Sequence, residues 1–373
     1  MKRALATLLC ASLALGAAPK PAVTPFAVAK APYAFHFPAD HGAHPAYQTE
    51  WWYYTGHLRA SNGHQFGYEL TFFRFRLRPE DVVAAPKGAP RSRWRGDQVY
   101  AAHFAITDVT GGRFFHTERV ARQALGLGAA ATGRLAVRAD DWSLLGAPGS
   151  DPARERMTVH AAAAGTKLDL VQTPLKPPAV HGSNGILRKG PCASCASHYY
   201  SYSRLATSGK LAYDGTVYAV TGTSWMDHEF GTDQLPSDEV GWDWLSLQLD
   251  DGRELMLCLF RRKDGSYVPQ SSGSLIGRDG RVRHLAFGDI TLTATGHWHS
   301  AETGANYPSG WHLQTPLAGI DATLTPALAA QEIALRDGPS YWEGAVDARD
   351  AKTSRPLGRG YVELTGYAEP VVI

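Results

Sequence analysis

The chain has 373 residues, and 37 Lys and Arg stand against 35 Asp and Glu, for a formal net charge of +2. This balance, with no cluster of basic residues, gives no support to nucleic acid or an anionic membrane surface as a partner. Charged residues make up only 19% and Trp, Tyr and Phe 10%, so we expect a large core, a ring-lined pocket, or both.

The first eighteen residues have the pattern of a secretory signal peptide. Lys2 and Arg3 precede an apolar run over residues 4–15, and small residues follow up to Ala18. The run is too short to span a bilayer, and no later segment approaches about 18 uninterrupted apolar residues. A lipid anchor on Cys10 is the less favoured alternative, because two leucines precede that cysteine. We therefore expect an exported protein, secreted or periplasmic, without a transmembrane segment.

Short segments rich in aromatic and β-branched residues dominate the rest of the chain, and Asn-Gly and Asp-Gly turns separate them. Only Arg119–Leu125 and Thr325–Leu335 suggest short helices. The pattern predicts an all-β protein built of barrels or sandwiches. The predicted strands are Glu50–Arg59, Gln65–Leu77, Val99–Thr107, Lys167–Gln172, Tyr199–Leu205, Val217–Trp225, Trp242–Leu249 and Arg253–Phe260.

Pieces of the first half recur in the same order in the second half, which indicates an internal repeat. Arg134–Trp142 is similar to Ile290–Trp298, and Lys167–Pro174 is similar to Gly319–Pro326. A general likeness of β-meanders is the alternative explanation. We predict two β-barrel domains, residues 30–232 and 240–373, with a boundary near Phe230–Val240, where Asp, Pro and Ser gather.

The sequence EWWYYTGH, which begins at Glu50, predicts a strand that is covered on both faces. Alternation places Glu50, Trp52 and Tyr54 on one face and the remaining rings on the other. We predict that this first face lines a ligand cavity. Because a carboxylate among rings is costly without a partner, we expect Glu50 to pair within the next strand, which offers Glu69 and, further along, Arg74 and Arg76.

Three further positions are predicted to contact an apolar small molecule. His103 lies on a strand face with small residues, where a core group with satisfied hydrogen bonds is the slightly favoured alternative. Tyr202 belongs to the aromatic strand Tyr199–Leu205, and Trp225 ends the strand Val217–Trp225. Together with Glu50, Trp52, Tyr54 and Glu69, these residues form the predicted ligand-binding set.

The strongest candidate for catalysis is the sequence WMDHEFG, in which Asp227, His228 and Glu229 are consecutive. In an extended strand Asp227 and Glu229 share one side, and His228 points to the other. Two carboxylates on one side would raise the pKa of one of them and leave a proton donor near neutral pH. A hydrogen-bonded turn, in which Asp227 caps backbone amides, explains the same spacing equally well.

The cysteines leave several readings open. Cys192 and Cys195 stand in a loop rich in Gly, Pro and Ser, where they could form a small disulfide bridge, remain free thiols or act as a functional pair. A zinc site would need a second pair of ligands, and only His198 is near. Cys258 alternates with leucines and is predicted to be a core residue.

No known cofactor or metal motif is present. The sequence has no His-Glu-x-x-His helix, no Gly-x-Ser-x-Gly elbow and no phosphate-cradling glycine loop. His297 and His299 could ligate a metal from one strand face, but packing is the favoured interpretation. We therefore predict neither a cofactor nor a metal.

The motifs together resemble a known family. The segments EWWYYTGH, GYELTFF from Gly67, HFAITD from His103 and SWMDHEFG from Ser224 are similar to the AttH-type "predicted secreted hydrolase" group, which is related to the carotenoid 1,2-hydratases. The resemblance covers most of the chain and implies two lipocalin-like barrels side by side. It also implies chemistry of the hydratase kind, in which an aspartate protonates an isoprenoid double bond, and Asp227 is the matching position.

Three functions are consistent with these observations. The leading hypothesis is an enzyme that hydrates or hydrolyses an apolar, isoprenoid- or lipid-like molecule, with Asp227 as acid and His228 or Glu229 tuning it. The second is a carrier or chaperone for a lipophile, associated with an ABC transporter in the membrane. The third is a secreted glycan hydrolase with paired carboxylates.

Overall fold

The computed structural model describes residues 25–79, 96–147, 151, 155–232, 235–336 and 338–371. The predicted signal peptide, residues 1–18 with Cys10, lies outside the described residues. Regular structure in the described parts is nearly all β, as predicted. The helices there are single 3-10 turns, at Ala39–His41, Ala124–Gly126, Phe287–Asp289 and Pro316–Ala318, and none has the length and apolar character that crossing a membrane requires.

The first sheet contains β1 (Thr49–Ala60), β2 (Gln65–Arg76), β3 (Gln98–Asp108), β4 (Arg113–Arg122), β5 (Gly128–Ala130), β6 (Ala136–Ala139), β7 (Trp142–Gly146), β8 (Met157–Ala163), β9 (Thr166–Pro174), β10 (Ala179–Val180), β11 (Leu187–Arg188), β12 (Ala196–Tyr213) and β13 (Thr216–Gly231). Its order is β4-β3-β2-β1-β13-β12-β9-β8-β7-β6-β5, with β10 and β11 paired to β12. All neighbours are antiparallel.

The second sheet contains β14 (Glu239–Leu249), β15 (Glu254–Arg262), β16 (Ser272–Ile276), β17 (Val282–Ala286), β18 (Thr291–Ala294), β21 (Trp311–Thr315), β22 (Ile320–Pro326), β23 (Glu332–Ile333), β24 (Tyr341–Asp350) and β25 (Pro356–Leu364). Its order is β17-β16-β15-β14-β25-β24-β22-β21-β18, with β23 paired to β24. A separate ribbon joins β19 (His297–His299) to β20 (Asn306–Pro308). The chain passes from the first sheet to the second between Gly231 and Glu239.

Each sheet curls into a nearly closed barrel. In the first barrel the free edge at β5 and β6 approaches β2, β3 and β4 without pairing with them as neighbouring strands. Gly128 permits this approach, because a Cβ atom there would lie 2.5 Å from Cδ2 of Tyr100. The curling leaves each barrel with an inner and an outer face.

The two sheets share one topology, which confirms the predicted internal repeat of lipocalin-like barrels. Both begin with a four-strand meander, and in both the first strand pairs with the last, β1 with β13 and β14 with β25. The segments Lys167–Pro174 and Gly319–Pro326 occupy equivalent places, at β9 and β22. The predicted match of Arg134–Trp142 to Ile290–Trp298 is wrong by one strand. The first segment contains β6, which is three strands from β9 in the order of its sheet, whereas the second contains β18, which is two strands from β22.

Both predicted helices are wrong. Most of Arg119–Leu125 continues β4 up to Arg122, which pairs with Val99 of β3. The stretch Thr325–Leu335 ends β22 and then forms β23, whose Ile333 pairs with Tyr341. Intrinsic helix preferences are worth only a few tenths of a kcal/mol per residue, roughly, so strand pairing and burial decide the conformation of such short segments.

The barrels are joined through buried polar contacts as well as apolar packing. Glu254 of β15 is fully buried and accepts hydrogen bonds from Lys176 Nζ at 2.6 Å and from Arg204 Nε at 2.6 Å, both from the first half. Nε2 of Gln248 donates to the backbone carbonyl oxygens of Ser203 and Ser224. These contacts hold the outer faces of the two sheets together.

Candidate active site between the two barrels

A cavity of about 190 Å³ lies between the outer faces of the two sheets. The interior of each barrel is filled by its own side chains, so the ring-lined space is between the barrels. From the first half, Trp51, Tyr53, Thr71, Phe73, Phe75, Ala101, His103, Lys189, Tyr199, Asp227 and Glu229 line it. From the second half, Trp242, Trp244, Cys258, Phe260, Leu335, Gly338, Pro339, Tyr341, Glu363, Thr365 and Val371 line it.

The face of β1 that meets the cavity is the one that carries Trp51 and Tyr53. Trp52, Tyr54 and Tyr202, which were predicted to line a cavity, instead fill the interior of the first barrel and are at most 1% exposed. The alternation along the strand is as predicted. Because both faces of β1 are buried, however, the alternation does not reveal which face borders the cavity.

Asp227 is 3% exposed and lies in the cavity wall. Its Oδ1 accepts hydrogen bonds from Nε1 of Trp225 at 2.6 Å and from the hydroxyl of Ser201. Its Oδ2 accepts one from the hydroxyl of Tyr199 at 2.6 Å. Nε1 of Trp244 in the second barrel donates to that same tyrosine oxygen at 3.0 Å. A carboxylate offers about four acceptor positions, so one position on Oδ2 is left for a proton.

Burial has the largest influence on Asp227 and raises its pKa to about 7. The hydrogen bonds from Ser201, Tyr199 and Trp225 oppose this rise, and the charge of Glu229 adds to it. The expected rise in pKa is therefore present, but burial causes more of it than the neighbouring carboxylate does. Near neutral pH the group is present in both protonation states, as a general acid must be, and the three donors can stabilise the carboxylate that remains after proton transfer.

Glu229 shares the cavity side of β13 with Asp227, as alternation predicts. Its carboxylate forms an ion pair with Lys189 and accepts a hydrogen bond from Ser197. The Lys189 ammonium also lies 4.8 Å from the ring centroid of Trp51, within the range of a cation–π contact. The Glu229 charge is thus balanced by a cation that is itself 3% exposed.

Glu363 of β25 is a further carboxyl group in the cavity wall, and its pKa, like that of Asp227, is raised. Burial raises its pKa to about 7, although Nε1 of Trp242 donates a hydrogen bond to it at 2.7 Å and favours the charged form. His103 borders the cavity, and its Nδ1 lies 2.8 Å from the hydroxyl of Tyr341. Burial lowers the pKa of His103 to about 3, so the ring is neutral at pH 7.

Comparison with known proteins assigns the chain to a family. Residues 28–367 match the family model described as AttH-like. The chain belongs to the AttH-like family. No curated protein matches the sequence of this AttH-like protein significantly. The fold and the order of the motifs agree with the resemblance seen in the sequence.

Two solved structures resemble the AttH-like protein over nearly its whole length. A protein of Nitrosomonas europaea, provisionally named AttH, has 35% identity and a TM-score of 0.78, and the match covers 92% of this chain and 100% of that one. Kievitone hydratase of Nectria haematococca has 14% identity and a TM-score of 0.67, with 94% and 98% covered. At that identity the second likeness concerns the fold alone.

The AttH-like protein places His228 away from the cavity, on the inner face of β13. Its Nε2 lies 2.9 Å from Oε1 of Glu50, and its ring stacks on Trp52 at 4.8 Å between centroids. Glu50 also accepts a hydrogen bond from Arg74 Nε at 2.7 Å, and its Oε1 lies 2.8 Å from Nδ1 of His44. Of the possible partners that the sequence offered, Glu69, Arg74 and Arg76, the structure pairs Arg74 with Glu50. Burial raises the pKa of Glu50, but these partners outweigh burial and hold it well below the usual range.

Glu50, His44 and His228 are close enough to approach a metal ion, with ligand atoms within 4.8 Å of one another. The guanidinium of Arg74, however, already supplies a positive charge against Glu50. A divalent cation would have to share the carboxylate with that guanidinium. The arrangement is that of a buried ion-pair network that ties the loop before β1 to the first barrel.

Glu69 and Trp225 lie at the barrel interface but do not themselves line the cavity. Glu69 is 1% exposed and accepts a hydrogen bond from Thr71, and burial raises its pKa well above the usual value. Trp225 contributes through the hydrogen bond that it donates to Asp227. Both residues face the second barrel from the outer side of the first sheet.

The remaining cavity groups were not singled out from the sequence. Tyr199 stood in a predicted strand without a role, and Lys189 and Glu363 carried no motif. Lys189 precedes the loop that the Cys192–Cys195 disulfide closes, and its backbone N–H donates to the carbonyl of Cys195 at 2.9 Å. The signal that could have identified Glu363 is its place in the alternation of β25, two residues after the buried Tyr361.

Proposed function

We propose that the protein is a lipocalin-like enzyme that hydrates or hydrolyses an apolar small molecule in the cavity between its barrels. Asp227 is the general acid in this proposal. The observation that carries it is a carboxyl group buried in an aromatic cavity wall, with a pKa near 7 and three fixed hydrogen-bond donors. A hydratase that shares the fold agrees with this choice.

The cavity walls favour an uncharged, isoprenoid- or lipid-like substrate. Rings such as Trp51, Phe73 and Phe260 supply the apolar surface. Among the described lining residues the one Lys or Arg is Lys189, and Glu229 already neutralises it. A phosphate or carboxylate on the substrate would therefore lack a free cationic partner, whereas tryptophan faces can stabilise a carbocation as it develops.

Groups in the cavity wall can supply and accept the protons that the hydration of a double bond requires. Asp227 gives its proton to one alkene carbon, and the other carbon becomes cationic. Water adds to that carbon and releases a proton to the carboxylate of Glu363, so that the sum is alkene plus water giving an alcohol. Asp227 and Glu363 then exchange one proton with solvent to restore the starting state. In a hydrolysis, Asp227 would instead protonate the leaving group.

We also propose that the protein acts after export, secreted or in the periplasm, as the signal-like residues 1–18 suggest. Mass spectrometry of the protein recovered from the producing cells tests this proposal. A mature chain that starts after Ala18 is the expected result, and a chain that retains residues 1–18 in the cytoplasm would contradict it.

The catalytic proposal is tested by incubating the purified protein with a panel of unsaturated isoprenoids and lipids in water labelled with ¹⁸O. We expect an alcohol product that carries the label, and its loss in Asp227→Asn. Cys258→Ala is the matched control, because Cys258 lines the same cavity without a role in proton transfer.

A co-purified apolar ligand that is never altered by the wild-type protein would instead favour a carrier that works with a membrane transporter. Oligosaccharides that displace an apolar probe from the cavity would favour the glycan hydrolase.

A further inference from the structure

A chain of hydrogen bonds runs from Asp227 away from the cavity into the barrel interface. The hydroxyl of Ser201 donates to Oδ1 of Asp227, and the same Ser201 oxygen lies 2.6 Å from Nε2 of His181. On its other side, Nδ1 of His181 lies 2.9 Å from the hydroxyl of Ser274 in the second barrel. Ser201, His181 and Ser274 are each at most 1% exposed.

The direction of each hydrogen bond in this chain follows from the available protons. Ser201 has a single hydroxyl proton and gives it to Asp227, so its contact with His181 requires that Nε2 of the imidazole carry a proton. Burial lowers the pKa of His181 to about 3, and the nearby His284 lowers it further. The ring is therefore neutral, and its unprotonated Nδ1 accepts from Ser274. Ser274 thus donates to His181, His181 donates to Ser201, and Ser201 donates to Asp227.

The backbone holds His181 in this position. Ala179 of β10 pairs with Ser201 of β12, and Ser201 pairs with Asp227 of β13. The backbone N–H of His181 donates to the carbonyl of Tyr199 at 3.0 Å, and the two rings are 4.4 Å apart between centroids. His284 and Tyr199 are the titratable groups beside the ring, and Asp227 is reached through Ser201.

We propose that His181 is a positioning residue for Asp227: anchored by Ser274 of the second barrel, it locks the hydroxyl proton of Ser201 onto the Asp227 carboxyl group. His181 thereby sets how strongly Asp227 holds its own proton. This role rests on the proposed function of Asp227 as an acid, and it makes the acidity of the site depend on correct docking of the two barrels. Ser201 and His181 do not touch the cavity, so neither is a catalytic residue.

The test follows the protonation of Asp227 directly, by infrared difference spectra over a pH titration of the full-length protein. The carbonyl band that is missing in Asp227→Asn identifies Asp227. In His181→Phe we expect the midpoint of that band to rise by about one pH unit, because the carboxylate loses a locked donor. His181→Gln retains a donor and an acceptor and should stay within a few tenths of a unit of wild type.

An unchanged midpoint in folded His181→Phe, or an equal rise in His181→Gln, would overturn the proposal. If His181→Phe does not fold, Ser274→Ala decides, with a smaller upward shift expected and an unchanged midpoint as the contrary result. The titration needs no substrate. A shifted midpoint together with turnover that survives in Asp227→Asn would therefore reject the proposed function while keeping the role of His181.

Discussion

Replacing Asp227 by Asn should make the free energy of unfolding less dependent on pH. The folded state holds the pKa of this carboxyl at about 7, and the model value for an exposed Asp is 3.8. Between these values the folded protein binds more protons than the unfolded chain, so the group lowers stability progressively as pH rises, until the effect is complete above pH 7. At 1.36 kcal/mol per pKa unit, the loss between pH 5 and pH 8 is about 2.5 kcal/mol.

Asn cannot ionise, so this loss is absent in the variant. We therefore expect the free energy of unfolding of Asp227→Asn, minus that of wild type, to rise by about 2.5 kcal/mol from pH 5 to pH 8. Urea unfolding at several pH values measures this difference, and the subtraction cancels the contribution of the other buried carboxyls to the pH dependence. Asp264→Asn, at an exposed turn where hydrogen bonds lower the pKa, should show a flat difference. A flat difference for Asp227→Asn as well would refute the raised pKa.

Three other substitutions test the packing that surrounds the site. Glu254→Leu should lower the free energy of unfolding, measured with urea, by roughly 3–5 kcal/mol, because Lys176 and Arg204 lose their buried carboxylate. The control Asp251→Leu removes an exposed ion pair and should cost less than about 1 kcal/mol in the same assay. Glu343→Gln should change stability at pH 7 by less than about 1 kcal/mol, since burial raises the pKa of this acid well above its usual value and favours the neutral form, and a larger loss would mean that it is an anion. Gly128→Ala should cost about 1–3 kcal/mol by collision with Tyr100, and an unchanged Tm would contradict the close approach.

The barrel interface explains why buried carboxyls can persist in this protein. Glu343 accepts a hydrogen bond from Tyr53 at 2.8 Å, and Glu363 accepts one from Trp242. In both groups burial raises the pKa, so each can be buried in its neutral form at little electrostatic cost. The partner of Glu343 comes from the other barrel and that of Glu363 from its own barrel, and the cavity forms where the two outer faces do not meet completely.

The sequence by itself determined the all-β class, the two related barrels and the shared side of Asp227 and Glu229. These features depend on local signals, namely the alternation of side chains, the turn residues and the order of the repeated segments. The pairing of Glu50 with Arg74 was also accessible, because both lie on consecutive strands joined by a short turn.

Only the tertiary structure decided where the cavity lies and which groups complete it. Trp52 and Trp51 are equally aromatic, and which of them meets the cavity depends on how the first barrel closes and where the second barrel docks. The surroundings of Asp227 include Trp244 of the second barrel, which donates to the hydroxyl of Tyr199, and the link from Ser274 to His181 crosses 93 positions of sequence. Contacts of this kind form when outer faces pack together, and no local pattern in the chain encodes them.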